Sequence, residues 1–223
     1  MFALTHVVHR YGRVAAATIP EWCVEKGEAW LLAGPSGCGK STALHILAGL
    51  IVPTEGEVVV AGVDLRTLSE SARDRWRGRS VGLVPQRLHL VGALRVRENL
   101  RLAQMLAGHP ADEVRVTALL EAVGIADLAH RFPRELSHGQ AQRVAVARAV
   151  VNRPGLVLAD EPTANLDDEH ADQTLGLLLA QAAEVGATLV IATHDHRVRS
   201  RISSVYALPV PLREPATADT VTG

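Results

Sequence analysis

The segment GPSGCGKST, from Gly34 to Thr42, is the feature that most constrains the fold of this chain. It follows the apolar run AWLLA and precedes KSTALHIL, whose apolar residues recur with helical spacing. A glycine-rich turn between a strand and a helix presents backbone N–H groups and a helix N-terminus to phosphate oxygens. The pattern therefore predicts a phosphate loop formed by Gly34, Pro35, Ser36, Gly37, Cys38, Gly39, Lys40, Ser41 and Thr42.

Two side chains of this loop have predicted roles of their own, and a later acidic pair completes the pattern. Lys40 is expected to reach the β- and γ-phosphates, and the Ser41 hydroxyl to ligate Mg²⁺. In GLVLADEP, an apolar strand brings Asp160 to its carboxyl end, where the carboxylate can hold the Mg²⁺ shell. Glu161 follows directly and can orient the attacking water as a general base. Together these residues predict a phosphoryl-transfer site, and they leave the class of enzyme open.

The order of the remaining segments predicts an α/β fold. The runs FALTHVVHRYG, EKGEAWLLAG and GEVVVAG have the character of strands, and residues from about 87 to 150 are rich in helical patterns. Strand-like runs return as GLVLADEP and ATLVIATHD, separated by the helical stretch DDEHADQTLGLLLAQAAEVG. A strand, helix and strand in this order indicate a parallel sheet with a crossover helix. We expect one domain over residues 1–208, with a helical subdomain inserted at about 87–150, and a flexible tail over 209–223.

Composition narrows the partners that the chain can have. A net charge of −1 in 223 residues gives no electrostatic reason to expect nucleic-acid binding. The two cysteines, Cys23 and Cys38, have no metal-ligand spacing, and the start of the chain lacks the pattern of a signal peptide. No apolar stretch approaches the roughly 18 residues that a spanning helix needs. If the protein works at a membrane, we expect another chain to supply the membrane part.

The segment LSHGQAQRVAVARAV separates this chain from other phosphate-loop proteins. Ser137 stands at an N-cap position before a glycine and a long amphipathic helix. The segment resembles the LSGGQ signature of ATP-binding-cassette (ABC) proteins, and further motifs of that family follow in order. They are Tyr11, Gln86, the stretch from Asn165 to Asp167, and His194. The resemblance runs from about Leu4 to Leu208.

The resemblance implies a P-loop ATPase fold of ABC type: a mixed or parallel sheet core, an N-terminal antiparallel β subdomain and an inserted α-helical subdomain. It implies ATP and Mg²⁺ as ligands. Tyr11 would stack on the adenine ring, and His194 would contact the γ-phosphate. Glu161, His194 and Gln86 become the catalytic candidates, and Ser41, Gln86 and Asp160 the metal ligands. Further nucleotide contacts, made across a dimer, are implied for Ser137, His138, Gly139, Gln140 and Asp167.

Two residues depart from the family pattern. His138 occupies the first glycine position of the signature, where its imidazole is neutral to function, clashes, or adds a pH-sensitive contact near phosphate. We expect a tolerated substitution. Pro85 precedes Gln86 where relatives commonly carry an aromatic residue, and its fixed φ affects loop stiffness and docking rather than chemistry.

The implied function is that of an ATP-hydrolysing subunit that powers a separate integral membrane permease. One phosphate loop and one signature imply a second ABC subunit, most simply an identical copy, and a location on the inner face of the cell membrane. The apolar residues Leu88, Leu90, Val91 and Leu94 are candidates for a socket that receives the permease, or else for helical core. The motifs look most like the lipoprotein-release, macrolide-export and cell-division subfamily.

Two alternatives remain at this stage. A soluble ABC ATPase without a transport role, for example of the iron-sulfur assembly type, fits the same motifs. A small-molecule kinase fits the phosphate loop, but it leaves LSHGQ, the Asn165 to Asp167 stretch and His194 unexplained.

Overall fold

A computed structural model describes residues 1–164 and 166–210 of the chain. These residues form nine strands and seven α-helices. The strands are β1 (Phe2–Tyr11), β2 (Val14–Val24), β3 (Ala29–Ala33), β4 (Glu55–Val60), β5 (Val63–Asp64), β6 (Val81–Val84), β7 (Leu156–Asp160), β8 (Thr188–Ala192) and β9 (Ser204–Ala207). The helices are α1 (Lys40–Leu47), α2 (Glu70–Ser80), α3 (Val96–Leu106), α4 (Glu113–Ala122), α5 (His138–Val150), α6 (Asp168–Glu184) and α7 (His196–Arg199).

The strands form two sheets. An antiparallel sheet has the order β2-β1-β4-β5, and a parallel sheet has the order β6-β7-β8-β3-β9. The predicted parallel pair is present, with Leu156 opposite Thr188 and Asp160 opposite Ala192. The predicted fold class, an antiparallel β part joined to a parallel α/β core with helices inserted between β6 and β7, is therefore confirmed.

Two hydrophobic clusters hold the helices against the two sheets. In the first, α1 is buried between the two sheets, with Leu44 and Leu47 packed among residues such as Ile19 and Leu158. In the second, the other face of the parallel sheet packs against α5 and α6 and against the apolar faces of α3 and α4. The phosphate loop therefore lies at the start of a helix whose apolar side chains are buried between the two sheets, while Ser41 stays exposed.

Helix α1 is shorter than its sequence pattern predicts. The apolar periodicity of KSTALHILAGLIVP extends to Pro53, but the helix ends at Leu47. Gly49 has a φ of 66°, and the N–H of Leu50 donates to the carbonyl of His45. A glycine in the left-handed conformation just beyond the last turn is the common way to end a helix. The helix therefore stops where glycine permits the turn, before the proline.

Helix α5 approaches the sheet unusually closely at Gly82 in β6. A Cβ atom added to Gly82 would lie 2.2 Å from the carbonyl oxygen of Ala149, near the end of α5. Real Cβ atoms are not found so close to a backbone oxygen, so only glycine allows this contact. The C-terminal half of α5 thus belongs as much to the sheet layer as to the helical subdomain that the sequence predicts for residues 87–150.

Candidate nucleotide site

The phosphate loop begins where β3 ends and closes against the antiparallel sheet. Gly39 is the N-cap of α1 and has a φ of 101°, in the left-handed region that glycine adopts without strain. A Cβ at this position would lie 2.2 Å from the carbonyl oxygen of Ala16 in β2. The loop is therefore held against β2 at a point where no side chain fits.

Lys40 is 8 % exposed, and its ammonium group is held by the loop itself. The Nζ atom donates to the carbonyl oxygens of Gly34, at 2.9 Å, and Pro35, at 3.2 Å. Cys38 is also buried, and its backbone N–H donates to the Pro35 carbonyl. The sulfur of Cys38 packs near Gly34, so this residue shapes the loop from inside.

The carboxyl ends of the parallel strands bring the predicted catalytic side chains to the same cavity as the loop. This cavity measures about 1000 Å³. Its lining includes residues from β2, the phosphate loop, the segment after β6, and the ends of β7 and β8. They are Val14, Ala15, Ala16, Pro35, Ser36, Gly37, Gly39, Lys40, Ser41, Thr42, Gln86, Glu161, Ala164, His194 and Val210. Three predicted catalytic residues and most of the predicted phosphate-binding residues therefore share one cavity.

Glu161 is held firmly at the edge of this cavity. Its Oε2 atom accepts a hydrogen bond of 2.7 Å from the Thr193 hydroxyl, and its Oε1 lies 2.9 Å from Nδ1 of His194. Its backbone has a φ of 46°, which costs free energy in a residue other than glycine and is typical of functional sites. Both carboxylate oxygens thus have fixed partners. Thr193 was not predicted from the sequence, although its hydroxyl directly after β8 and before His194 was the available signal.

Asp160 lies deeper than Glu161, beside the start of α1. Burial raises the pKa of its carboxyl, while a hydrogen bond from the Ser41 side chain lowers it. Its Oδ1 atom is buried and has no hydrogen-bond partner. A buried carboxylate oxygen without a partner is costly unless a cation or water binds it. The donor set of Ser41 and Asp160 therefore fits Mg²⁺, a cation that prefers oxygen ligands.

Tyr11 stands apart from the cavity lining. It ends β1 at the hairpin to β2, its residue surface is 61 % exposed, and its ring packs edge-on against His9. Val14, on the other side of this hairpin, does line the cavity. The hairpin thus places an exposed aromatic ring near the cavity without closing it.

The predicted signature residues form a second patch, outside the cavity. Ser137 is the N-cap of α5: its hydroxyl accepts from the N–H of Gln140, and the Gln140 side chain accepts from the N–H of Ser137. His138 is exposed at the first position of the helix. A Cβ on Gly139 would lie 3.6 Å from the ring of His170, in α6. The signature therefore adjoins the beginning of α6.

Asp167 belongs to this second patch as the N-cap of α6. It accepts from the N–H of His170 and lies 2.7 Å from Nδ1 of the same residue. These hydrogen bonds hold the pKa of the Asp167 carboxyl below its ordinary value, and the bond from the His170 backbone N–H has the largest effect. Asn165 of the same motif lies outside the described residues, as does the predicted tail beyond residue 210. We call Ser137, His138, Gly139, Gln140 and Asp167 the signature patch.

The layered sheets, the phosphate loop and the acidic pair at the end of β7 define a P-loop nucleotide-binding protein. Residues 19–164 match the sequence profile of the ABC transporter family. The chain belongs to this family. It is an ATP-binding subunit of the ABC type and an ATPase.

Similar proteins and solved structures are also ATP-binding proteins of the ABC type. The chain is 44 % identical over 187 residues to the lipoprotein-releasing system ATP-binding protein LolD of Xanthomonas campestris pv. campestris, covering 83 % of this chain and 78 % of that protein. It is 39 % identical to an ABC transporter ATP-binding protein of Methanocaldococcus jannaschii, covering 89 % and 91 %. A dimeric post-hydrolysis structure of the cassette MJ0796 with ADP and Pi superimposes with a TM-score of 0.84 at 32 % identity, covering 93 % and 94 %. These findings support the transporter subunit over the soluble alternative.

In residues 1–164 and 166–210, no helix combines the length and apolar character that crossing a bilayer requires.

Proposed function

We propose that this chain powers a membrane transporter and works as a pair of identical cassettes. One observation carries the proposal: the residues expected to contact a single ATP lie in two separate places. The phosphate loop, Glu161 and His194 line the cavity, whereas the signature patch lies outside it. A second copy, placed head to tail, would bring its signature patch over the cavity of the first. The dimeric structures of MJ0796 support this arrangement.

ATP binding follows from the cavity and its rim. The N–H groups of the loop and the Lys40 ammonium bind the phosphates, with Ser36, Gly37, Gly39 and Thr42 in the lining. Tyr11 is exposed and free to stack on the adenine ring. From the other subunit, Ser137, Gly139 and Asp167 complete the site around the γ-phosphate.

The same cavity provides for the metal ion and the attacking water. Ser41, Asp160 and Gln86 would hold Mg²⁺, which neutralises charge on the phosphate oxygens. Glu161 accepts the proton of a water molecule that attacks the γ-phosphorus, and the bond to the ADP oxygen breaks. His194 can donate to the γ-phosphate through Nε2 while Nδ1 donates to Glu161 only when both ring nitrogens carry a hydrogen. Loss of the γ-phosphate removes the charge that joins the two subunits, and the pair opens.

A second cavity, of about 640 Å³, supports docking of the permease between the sheet core and the helical segment. We call it the helical groove. Leu102 and Leu106 of α3, Val91 and Leu50 contribute apolar side chains to its lining. The lining also contains charged residues, among them Asp74, Arg77 and Arg148. Of the four predicted socket residues, only Val91 lines the groove. Leu88 and Leu90 pack on the core, and Arg148 donates to the backbone carbonyls of Leu88 and His89.

A groove with both apolar and charged side chains, which includes Val91 from the segment after Gln86, suits an amphipathic segment of an integral membrane protein. Docking there would hold the ATPase on the inner face of the cell membrane. The similarity to LolD supports the export-type subfamily predicted from the sequence.

Co-purification from native membranes tests this function. We expect the wild-type chain to be recovered in mild detergent with one integral membrane protein, identified by mass spectrometry. Leu106→Glu places a charge in the helical groove at a residue that is 69 % exposed, so it should abolish recovery and leave basal ATPase activity intact. Val114→Glu, at an exposed apolar residue outside the groove, is the matched control and should retain the partner. Equal recovery with both variants would exclude the groove as the docking site.

His138 is proposed to be a tolerated replacement of the signature glycine. Its side chain is exposed, and the described residues make no hydrogen bond to its ring. We expect His138→Gly to keep ATP turnover within about twofold and to leave its pH profile unshifted, because α5 is capped by Ser137. Turnover measured from pH 5.5 to 8.5 tests this. A profile that moves through the ordinary histidine range would instead give the imidazole a role at the phosphate.

A further inference from the structure

A hydrogen-bonded bridge joins the loop after β8 to the beginning of α6, and Arg197 is its centre. On one side, Arg197 Nη1 lies 2.6 Å from Asp168 Oδ1. On the other side, Arg197 Nε and Nη2 donate to the carboxylate of Asp195 at 2.7 to 2.9 Å. The planar guanidinium can bind two carboxylates at once with fixed geometry. Nothing in the sequence motifs points to Arg197, because the family resemblance ends its switch region at His194.

The inner side of the bridge is tightly constrained. The Asp195 side chain is 12 % exposed and also accepts from the Thr163 hydroxyl, at 2.7 Å. The pKa of the Asp195 carboxyl is held far below its usual range, mainly by the hydrogen bonds from the Arg197 side chain. The N–H of Asp195 donates to the Thr193 hydroxyl at 3.0 Å, and that hydroxyl donates to Glu161. Arg197 is thus two hydrogen-bonded residues away from the catalytic candidate.

The outer side of the bridge is exposed and adjoins the signature patch. The Asp168 side chain is 97 % exposed, and Asp168 follows Asp167 directly in the chain. An ion pair that is so exposed contributes little to stability. The contact therefore acts through where it holds the start of α6 relative to Glu161.

We infer that Arg197 is a positioning residue that keeps Glu161 in its attacking geometry when the second subunit engages Asp167. The inference rests on the proposed function, because it assumes hydrolysis at a site shared between two subunits. A change in the position of Asp167 reaches Asp168 through the backbone, then Asp195 through Arg197, and finally Glu161 through Thr193. Each link is a contact of 3.0 Å or less.

The chain offers a matched control one helical turn further along. Arg201 Nη1 lies 2.6 Å from Asp172 Oδ1, so this pair joins the same two regions at the same distance. Arg201 makes no contact with Asp195 among the described residues. We expect Arg197→Ala to lower kcat for ATP about tenfold with KM changed less than twofold, since small displacements of a catalytic group are costly. Arg201→Ala should stay within twofold of the wild-type kcat.

A second variant distinguishes loss of the Arg197 bridge from misfolding around Arg197. Asp168→Asn weakens the exposed link and leaves the Asp195 side of the bridge unchanged. It should lower kcat about threefold, because the second subunit's approach is then less firmly coupled to Arg197. The double variant Asp168→Asn/Arg197→Ala should be no slower than Arg197→Ala alone, since both changes break one connection. Binding stoichiometry for a non-hydrolysable ATP analogue should remain that of the wild type, whereas a misfolded fraction would lower it.

Three outcomes would overturn the inference. They are equal kcat for the Arg197→Ala and Arg201→Ala variants, an Asp168→Asn variant with wild-type kcat, and losses that multiply in the double variant. Absence of ATP hydrolysis in the wild-type chain would instead refute the proposed function, so the two failures are distinguishable.

Discussion

Replacement of Glu161 by glutamine is expected to nearly abolish ATP hydrolysis while leaving ATP binding intact. Glutamine has the same shape and can still accept the Thr193 hydrogen bond through its amide oxygen. It cannot accept a proton from water, and loss of a general base costs roughly 10²- to 10⁴-fold in rate. Phosphate release should fall by that factor, and dimers should accumulate on gel filtration with ATP and Mg²⁺.

Glu169→Gln is the matched control for this experiment. Glu169 is an exposed acid in the first turn of α6, and its side chain contacts only Gln173 among the described residues. Its replacement removes one negative charge near the same region and should leave turnover unchanged. Near-normal turnover of the Glu161→Gln variant would place the general base elsewhere.

Replacement of Lys40 by alanine is expected to give the largest loss of ATP binding. Lys40 is 8 % exposed, and its ammonium group donates to the carbonyls of Gly34 and Pro35, both within the loop that should receive the phosphates. Hydrogen bonds to charged groups are worth about 1.5–3 kcal/mol, so affinity should fall roughly 10- to 150-fold. Isothermal titration with ATP and Mg²⁺ measures this directly.

The sequence supplies the control for this prediction, because the chain has only one other lysine, Lys26. Lys26 lies in an exposed turn between β2 and β3. Lys26→Ala removes the same charge at a site that has no part in the proposed mechanism, and affinity should be unchanged. Equal affinities for both variants would show that Lys40 serves the loop and not the nucleotide.

The placement of the site was predictable from sequence for a physical reason. Parallel strands end at one edge of their sheet, so motifs that follow β3, β7 and β8 must meet there. Lys40, Glu161 and His194 accordingly share the cavity. The distances between side chains were not predictable, because they depend on rotamers and packing. The Thr193 hydrogen bond to Glu161 and the Arg197 bridge depend on such side-chain distances, so the sequence did not predict them.

Strand β2 shows where the sequence pattern was too weak. The run VAAATIPEWCV was not predicted as a strand, since it contains Pro20 and several small residues. Its buried residues nevertheless alternate at Ala17 and Ile19, and again at Trp22 and Val24. The proline is tolerated because β2 is an edge strand, where one N–H faces no partner. Only the position of the strand in the sheet explains its sequence.

The close contact between Gly82 and Ala149 also fixes the C-terminal end of α5 against β6. Helix α5 has 13 residues and carries Ser137 at one end, while its other end is fixed against β6. At about 1.5 Å per residue the helix is a lever of roughly 20 Å, so a tilt of about 10° moves its free end by about 3 Å. That distance separates a formed hydrogen bond from a broken one. A tilt of α5 about this contact would therefore displace Ser137 far more than β6, which leads into Gln86.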